Sequence, residues 1–308
     1  GKIKHPSDDM YWKFLLGKKA KIMDKLESSY ELTLSDVTSD IFAGFQTGRD
    51  KIFLVEIIED NGELVKVRNI AFDTNHIIEK KILKKTLRGV GIRRWSISWE
   101  NNYAVYPYED NQNTTTLITK DKLAKEFPKT LEYFESFKGE LMESDTSEAV
   151  DNANYYRFRR ARSISQFENR KILAQVLAAK NTFVLDDENY YFVGGGNAGG
   201  FGIIVDEKYS KFTHAILAIL NSKMAEFYIK NTSSPFQSGF FSYGKRFIKN
   251  LPIKLPNAEQ NGIIIDLTKK ILSLKKNGGD YDELENELDD NIFEMYGFDK
   301  QEKIVFKT

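Results

Sequence analysis

The glycine-rich segment Gly194–Gly199 could hold a phosphate group. It reads Gly-Gly-Gly-Asn-Ala-Gly and satisfies the pattern G-x-G-x-x-G, in which glycines let the backbone approach a dinucleotide. That pattern requires a helix at the last glycine, whereas Phe201–Val205 is typical of a strand, and no acidic ribose partner follows at the expected distance. We therefore expect a turn, or a close approach of another backbone, and keep a nucleotide or S-adenosylmethionine site as the less favoured alternative.

Patterns for catalysis or metal binding are missing from the rest of the sequence. Adenine methyltransferases hold a flipped base with a tetrapeptide of the Asn/Asp-Pro-Pro-Tyr/Phe type, and this sequence contains no Pro-Pro pair. It has no cysteine, and its three histidines are scattered, which leaves little for a zinc site or a catalytic triad. The acidic run Asp186–Glu188 is interpreted as a solvated turn. We expect no catalytic residue and no metal ligand in this chain.

An arginine-rich segment, Tyr155–Ser163, interleaves four arginines with three aromatic residues. Arginine can bind phosphate as a charge or grip guanine O6 and N7 with two hydrogen bonds, and aromatic rings can stack on bases or sugars. The segment therefore predicts a DNA-facing strand or loop. An equally weighted alternative is a solvated charged run whose aromatic residues belong to the core. The candidate DNA-binding residues here are Arg157, Arg159, Arg160 and Arg162, with Gln166 as a reader of adenine through its amide.

A second basic segment, Lys80–Arg94, contains seven Lys and Arg residues and no acidic residue. Its end, Arg88-Gly89-Val90-Gly91-Ile92-Arg93-Arg94, could form a turn that projects three arginines at one surface. We therefore predict that Arg88, Arg93 and Arg94 bind DNA, with a solvated charged run again as the alternative. Two basic segments in one chain favour DNA as the partner over coincidence.

The segment Ser233–Arg246 combines hydroxyl residues, glutamine, three phenylalanines and a basic end. Such a loop could reach phosphates or place an aromatic ring beside a base, but a packed loop would have the same composition. We expect Phe240 and Phe241 to pack against the protein. Lys245 is left as an open candidate for DNA binding.

Helical spacing of apolar residues appears at both ends of the sequence and in its middle. It predicts helices at residues 9–28, 123–141 and 210–230, and two more after Pro256. In residues 123–141 we expect a short lead-in before one helix, because Pro128 suits a first turn.

Strand patterns fill the stretches between these helices. Two apolar runs, Lys51–Ile58 and Leu64–Ile70, flank the hairpin signal Asp60-Asn61-Gly62. Four more short strands are predicted between Lys171 and Val205. The sequence therefore predicts a mixed α/β fold flanked by amphipathic helices at both ends.

Charge and composition limit the partners. The chain has 308 residues, 41% of them apolar, which suffices for a sizeable core. No stretch approaches the roughly 20 apolar residues of a membrane-spanning helix, and the first residues lack the apolar run of a signal peptide, so we expect a cytoplasmic protein without a membrane partner. Net charge is zero, but Asp280–Glu302 holds ten acidic residues against one lysine. DNA should therefore bind upstream of this acidic tail.

Several segments, in order, resemble motifs of a known family, the TaqI-like C-terminal specificity domain of type IIG restriction–modification enzymes and adenine-N6 DNA methyltransferases. Gly44–Phe53 has the form G-x-x-T-G-x-D-x-x-F, and Leu87–Trp95 resembles L-R-G-x-D-I-x-R-Y, with Gly91 where aspartate is usual. Phe127–Phe134 is similar to Y-P-x-L-x-x-Y-L. The remaining similar segments are Lys171–Leu173, Leu220–Lys223, Leu251–Ile253 and Ile292–Phe298.

The resemblance implies a curved-sheet target-recognition domain that binds double-stranded DNA opposite a methyltransferase or endonuclease domain. We expect a helical segment at 1–32, the recognition domain at 33–256 and acidic helices at 257–308. Arg49 and Lys51, in the first motif, join the predicted DNA-binding residues. We expect an excised, non-catalytic part of an adenine-N6 methyltransferase or type IIG enzyme, whose S-adenosylmethionine binds the missing catalytic domain. A protein-interaction module and a nucleotide-binding enzyme remain the alternatives.

Overall fold

The computed structural model describes residues 17–28, 30–111, 114–143 and 151–306, and these form a mixed α/β fold with curved sheets. The α-helices are α1 (Lys18–Ser28), α2 (Asp50–Phe53), α3 (Lys120–Glu126), α4 (Pro128–Ser136), α5 (Lys138–Met142), α6 (Ile164–Glu168), α7 (Thr213–Asn221), α8 (Lys223–Thr232), α9 (Lys245–Ile248), α10 (Ala258–Lys276), α11 (Asp282–Met295) and α12 (Lys300–Val305). Short 3-10 helices lie at Leu34–Val37, Lys80–Ile82, Gly89–Gly91, Glu207–Phe212 and Gln237–Gly239.

The β-strands build a six-stranded sheet, a four-stranded sheet and several two-stranded ribbons. They are β1 (Leu32–Thr33), β2 (Thr38–Ala43), β3 (Leu54–Asn61), β4 (Leu64–Asn69), β5 (Thr74–Glu79), β6 (Leu83–Leu87), β7 (Ile92–Arg93), β8 (Ser96–Ile97), β9 (Asn102–Val105), β10 (Tyr108–Asn111), β11 (Thr114–Leu117), β12 (Lys171–Gln175), β13 (Leu177–Ala178), β14 (Val184–Asp186), β15 (Tyr191–Phe192), β16 (Gly200–Val205), β17 (Phe241–Ser242) and β18 (Pro252–Ile253). The order in the larger sheet is β15-β6-β9-β3-β4-β5, and in the smaller one β14-β12-β16-β2.

The four-stranded sheet separates two hydrophobic cores. Neighbouring side chains of a strand point to opposite faces, so Ile172 and Ala174 of β12 join the first core while Leu173 joins the second. The first core also contains the apolar faces of α1, α7, α8, α10 and α11. The second core lies between the six-stranded sheet and the helices around α4. A strand buried on both faces is typically apolar without alternation, as Ile172-Leu173-Ala174 is in the middle of β12.

The predicted hairpin at Asp60–Gly62 is confirmed. Strands β3 and β4 are antiparallel, Asn61 pairs with Leu64, and Gly62 adopts the left-handed conformation, with φ of +87°. The prediction of a strand from Lys51 is wrong at its beginning, because residues 50–53 form the helical turn α2. Hydrogen bonds from the amides of Ile52 and Phe53 to the carbonyl oxygen of Arg49 close that turn. Strand structure starts only at Leu54.

The longer predicted helices are interrupted in the structure. The sequence predicts one helix over residues 210–230, but the structure has the end of a 3-10 helix followed by α7 and α8. The two α-helices are separated at Ser222, whose hydroxyl caps α8 by accepting a hydrogen bond from the amide of Ala225. Pro128 begins α4 as predicted, and a further break at Phe137 separates α4 from α5. Apolar spacing continues through both breaks, which is why the pattern did not reveal them.

The flanking helices are packed into the first core. The described part of the predicted helix at 9–28 is α1, which buries Ile22, Met23 and Leu26; the residues before 17 lie outside the described residues. Both helices predicted after Pro256 are present, as α10 and α11. The segment Leu251–Pro256, before α10, contains β18, and β18 pairs with β1.

The interpretation of Asp186 as a solvated turn residue is wrong. Its carboxylate lies 2.6 Å from the Lys171 ammonium, and both side chains are fully buried. Burial raises the pKa of Asp186 and lowers the pKa of Lys171, because the charged forms lose their water, while their mutual attraction opposes both shifts. The Asp186 carboxylate also accepts hydrogen bonds from the backbone amides of Glu188 and Tyr190. The buried Lys171–Asp186 pair therefore fixes the turn between β14 and β15.

Replacing Lys171 by methionine should destabilise the fold by about 3–5 kcal/mol, because the carboxylate would remain buried without its partner. The adjacent pair Arg170–Asp187, also 2.6 Å apart but exposed, supplies the control. Arg170→Met should cost less than about 1 kcal/mol. Urea unfolding followed by tryptophan fluorescence measures both, and similar losses in the two variants would contradict the assignment of Lys171 as a buried structural charge.

Candidate nucleic-acid interface

The glycine-rich loop Gly194–Gly199 is a place where backbones cross at short distance. A Cβ atom on Gly44 would lie 2.2 Å from the carbonyl oxygen of Phe192, and one on Gly194 would lie 2.2 Å from the carbonyl oxygen of Gly44. On the other side, a Cβ on Gly89 would lie 2.5 Å from the carbonyl oxygen of Ala198. We name this meeting of Gly44, Gly89 and the loop the glycine crossing.

Backbone hydrogen bonds hold the crossing together. The amide of Gly194 donates to the carbonyl of Phe45 at 2.6 Å, and the amide of Gly89 donates to the carbonyl of Ala198 at 2.9 Å. Strand β16 follows directly at Gly200, where a dinucleotide-binding loop would continue into a helix. The expectation of a close backbone approach is therefore confirmed.

The crossing joins the two basic segments, which are far apart in the sequence. On one side, Gln46 and Arg160 exchange backbone hydrogen bonds of 2.9 Å in each direction, and the Gln46 side chain lies against Gly195. On the other side, Arg88 directly precedes Gly89. Arg88, Arg159 and Arg160 are all exposed. The structure thus brings these three predicted residues to opposite ends of one loop.

Other predicted residues make hydrogen bonds within the protein. Arg94 donates to the Glu285 carboxylate at 2.7 Å and to the carbonyl of Asn221 at 2.6 Å, which ties the second basic segment to α11 and α7. Arg49 donates to the carbonyl of Glu143 at 2.7 Å, near the end of α5. These contacts connect the basic segments to neighbouring helices.

Three further candidates lie around β2. Arg162 donates to the carbonyl of Ala43 at 3.1 Å, and the amide nitrogen of Gln166 lies 2.5 Å from a carboxylate oxygen of Asp40. The Lys245 ammonium is 3.6 Å from the other oxygen of Asp40. Of the remaining candidates, Arg157 is half-buried, whereas Arg93 and Lys51 are exposed.

The aromatic residues of Tyr155–Ser163 belong to the second core. Tyr155, Tyr156 and Phe158 are all at most 1% exposed, and Phe158 stacks on Phe45 with ring centroids 5.2 Å apart. The three aromatic rings therefore belong to the core, as the second interpretation of this segment holds. Because they are buried, they cannot stack on DNA bases. Burial of the rings holds the backbone from which Arg159 and Arg160 extend.

A groove of about 430 Å³ lies beside the glycine crossing, and three loops form its walls. They are Gly89-Val90, Asn197-Ala198-Gly199 and the tip of the loop from Phe236 to Phe240. The expectation that Phe240 packs is wrong, since it is 39% exposed at this groove, whereas Phe241 packs against the first core. We call this feature the three-loop groove. The three loops are separated in the sequence by 37 positions or more, so only the fold could show that they meet.

Among the helices within residues 17–306 that the structure describes, none is long and apolar enough to cross a bilayer. In the same described part of the chain, no cluster of three or more His, Asp or Glu side chains is arranged to hold a metal ion.

Comparison with known proteins places the chain in a family. The family model for the TaqI-like C-terminal specificity domain matches residues 84–253, so the chain belongs to that family. The matched range contains residues 84–94 of the second basic segment, the whole arginine-rich segment and the three-loop groove. The similar segments Gly44–Phe53 and Ile292–Phe298 fall outside it.

The chain is also similar to the type II restriction enzyme and methyltransferase RM.Eco57I of Escherichia coli. The two are 24% identical over 255 residues, which cover 78% of this chain and 25% of the relative. The chain thus spans about a quarter of the length of the curated relative it matches. Membership in this specificity-domain family supports a role in DNA target recognition within restriction–modification systems.

The glycine crossing can be tested by adding a single methyl group. Gly44→Ala should destabilise the protein by about 1–3 kcal/mol, because the new Cβ collides with backbone atoms that cannot move independently. Gly262→Ala is the matched control: nothing lies within 4 Å of its Cβ position inside α10, and alanine should stabilise the helix by about 0.5–1 kcal/mol. Urea unfolding measures the free energy of unfolding of both variants. A change of the same sign in Gly44→Ala and Gly262→Ala would contradict the close backbone contact at Gly44.

Proposed function

We propose that this chain binds double-stranded DNA and provides sequence recognition to a restriction–modification enzyme. The observation that carries the proposal is the joining of two basic segments by the glycine crossing, in a chain whose residues 84–253 match the specificity-domain family. Net charge is zero, yet basic side chains gathered on one surface attract the phosphate backbone whatever the total charge.

The arginines divide into two proposed roles. Arg88, Arg93, Arg159 and Arg160 are exposed, and no hydrogen bond or ion pair of their guanidinium groups is found among the described residues, so we assign them contacts with DNA phosphates or bases. Lys51, exposed on α2 close to the backbone bond between Arg159 and Thr47, is added as a phosphate contact.

The candidates that bond to the protein are assigned positioning roles in this proposal. Arg94 holds the turn that carries Arg93, and Arg162 holds the end of the arginine-rich segment against β2. Because one amide hydrogen of Gln166 is directed at Asp40, we give this residue the same role and not the reading of adenine. Arg49, Arg157 and Lys245 stay secondary candidates at the edge of the surface.

The catalytic partner is proposed by similarity. RM.Eco57I is a restriction enzyme and methyltransferase four times as long as the matched stretch, so we propose that a methyltransferase or endonuclease domain works with this chain. Transfer of a methyl group to adenine N6, and binding of S-adenosylmethionine, would belong to that domain. The strand β16 that follows the glycine-rich loop supports this division, because a dinucleotide-binding loop continues into a helix.

Removing Arg159 and Arg160 together should weaken DNA binding and its dependence on salt. Each phosphate contact contributes about one unit to the slope of log K against log salt concentration, so the double alanine variant should lower the slope by about 2. Fluorescence anisotropy with a random-sequence duplex at several salt concentrations measures this.

The control removes two exposed lysines from the C-terminal helices, in the variant Lys270→Ala/Lys300→Ala. It changes the net charge equally and should leave the slope unchanged. Equal effects of the two variants would mean that overall charge, and not this surface, drives binding. Calorimetry with S-adenosylmethionine should give no heat; a measurable affinity would favour the alternative of a cofactor-binding enzyme.

A further inference from the structure

Two exposed side-chain amides line the three-loop groove. Asn197 comes from the glycine loop and Gln237 from the tip of the opposite loop. Among the described residues, neither amide has a hydrogen-bond partner within the protein. A side-chain amide offers a donor next to an acceptor, and adenine offers the complementary N7 acceptor and N6 donor in the major groove of DNA.

Large apolar side chains surround these amides. Val90, on the Gly89-Val90 wall, is 66% exposed, and Phe236 and Phe240, both on the wall formed by the loop from Phe236 to Phe240, are 50% and 39% exposed. Exposed apolar groups that cluster at a groove mark a binding surface, and in DNA the C5-methyl group of thymine is the apolar feature of the major groove. The groove therefore combines the two chemistries that an A·T pair presents.

Backbone hydrogen bonds close the loop that carries Gln237. The amide of Phe236 donates to the carbonyl of Phe240 at 2.7 Å, and that of Ser242 donates to the carbonyl of Ser234 at 3.2 Å. Ser238 and Gly239 at its tip take left-handed conformations, with φ of +61° and +78°. Pairing of β17 with β13 anchors the base of the loop. Preorganised loops lose less conformational entropy when they bind.

Positive charge around the groove favours DNA as its occupant. Arg88 precedes the Gly89-Val90 wall, and Arg160 lies at the other end of the glycine crossing. Arg93 follows Ile92, whose carbonyl accepts a 2.6 Å hydrogen bond from Gln175 at the groove. A small apolar ligand or an uncharged protein segment would not offer the negative charge that these unpaired arginines complement.

We propose that the three-loop groove reads A·T base pairs, with Asn197 and Gln237 each binding the edge of a different adenine and with Val90, Phe236 and Phe240 contacting thymine methyl groups. The proposal rests on the DNA-binding function above and names its specificity-determining residues. The neighbouring arginines hold the phosphate backbone and set the register in which the amides meet the bases.

The test is selection of bound duplexes from a random-sequence DNA library, followed by sequencing, with the unaltered chain and the variant Asn197→Ala/Gln237→Ala. The unaltered chain should enrich a motif with A·T pairs at fixed positions. In the variant, the preference at each of these positions should fall roughly tenfold, because each loses a bidentate amide–adenine contact. The salt slope should stay unchanged, since no charge is removed. The control Asn75→Ala/Gln301→Ala removes the same two exposed side chains from β5 and α12.

The outcomes separate this inference from the proposed function. An identical motif for the variant and the unaltered chain would overturn base reading at the groove while leaving DNA binding intact, and so would binding that enriches no motif at all. Failure of the unaltered chain to bind any duplex at low salt would instead refute the DNA-binding function itself. A relaxed A·T position in the amide variant, with the control unaffected, would support the groove.

Discussion

The close backbone contact at the glycine crossing is the constraint on which the surface depends. Three chain segments, around residues 44, 89 and 194–199, approach so closely that a Cβ on Gly44, Gly89 or Gly194 would meet a carbonyl oxygen at 2.2–2.5 Å. Side chains at these positions would force the segments apart. Because Arg160 is bonded to one of them and Arg88 adjoins another, the separation of the two basic segments is set by the backbone and not by flexible side chains.

Two cores on either side of the four-stranded sheet support this arrangement. Alternate residues of β12 face different cores. A shift of the strand by one residue would therefore move every side chain of β12 from one core to the other. The buried Lys171–Asp186 pair fixes the sheet edge, and Arg94 with Trp95 reaches the Glu285 carboxylate on α11. The acidic C-terminal helix is thereby joined to the second basic segment, even though their charges had suggested separate surfaces. A charge that binds another charge within the fold is no longer available to DNA.

Much of the fold could be predicted from the sequence because its signals are local. The hairpin at Asp60–Gly62, the strands between Lys171 and Val205 and the helices α10 and α11 follow from apolar spacing and turn residues. The breaks at Ser222 and Phe137 could not be predicted, since they preserve that spacing. Nor could the buried pair be found: Lys171 and Asp186 are typical surface residues, and only the antiparallel pairing of β12 with β14 places them opposite each other.

The candidate surface divides in the same way. Alternation of arginine with aromatic residues in Tyr155–Ser163 is visible in the sequence, but the internal partner of Arg162 is the distant carbonyl of Ala43. In the second basic segment, the partners of Arg94 are likewise distant, at Asn221 and Glu285. The groove residues Val90, Asn197 and Gln237 were missed because neutral side chains in loops carry no periodic signal. The glycine and phenylalanine content of their loops is visible in the sequence, but only the tertiary structure shows that the loops lie side by side.

The central claim is that residues 88–94, 157–162, 194–199 and 235–240 form one DNA-facing surface. Hydrogen–deuterium exchange of this chain, measured with and without duplex DNA at low salt, tests it most directly. We predict that DNA slows exchange in all four segments together, while α10 and β5 exchange at unchanged rates. Protection confined to one basic segment, or found only on the C-terminal helices, would contradict a single surface joined by the glycine crossing.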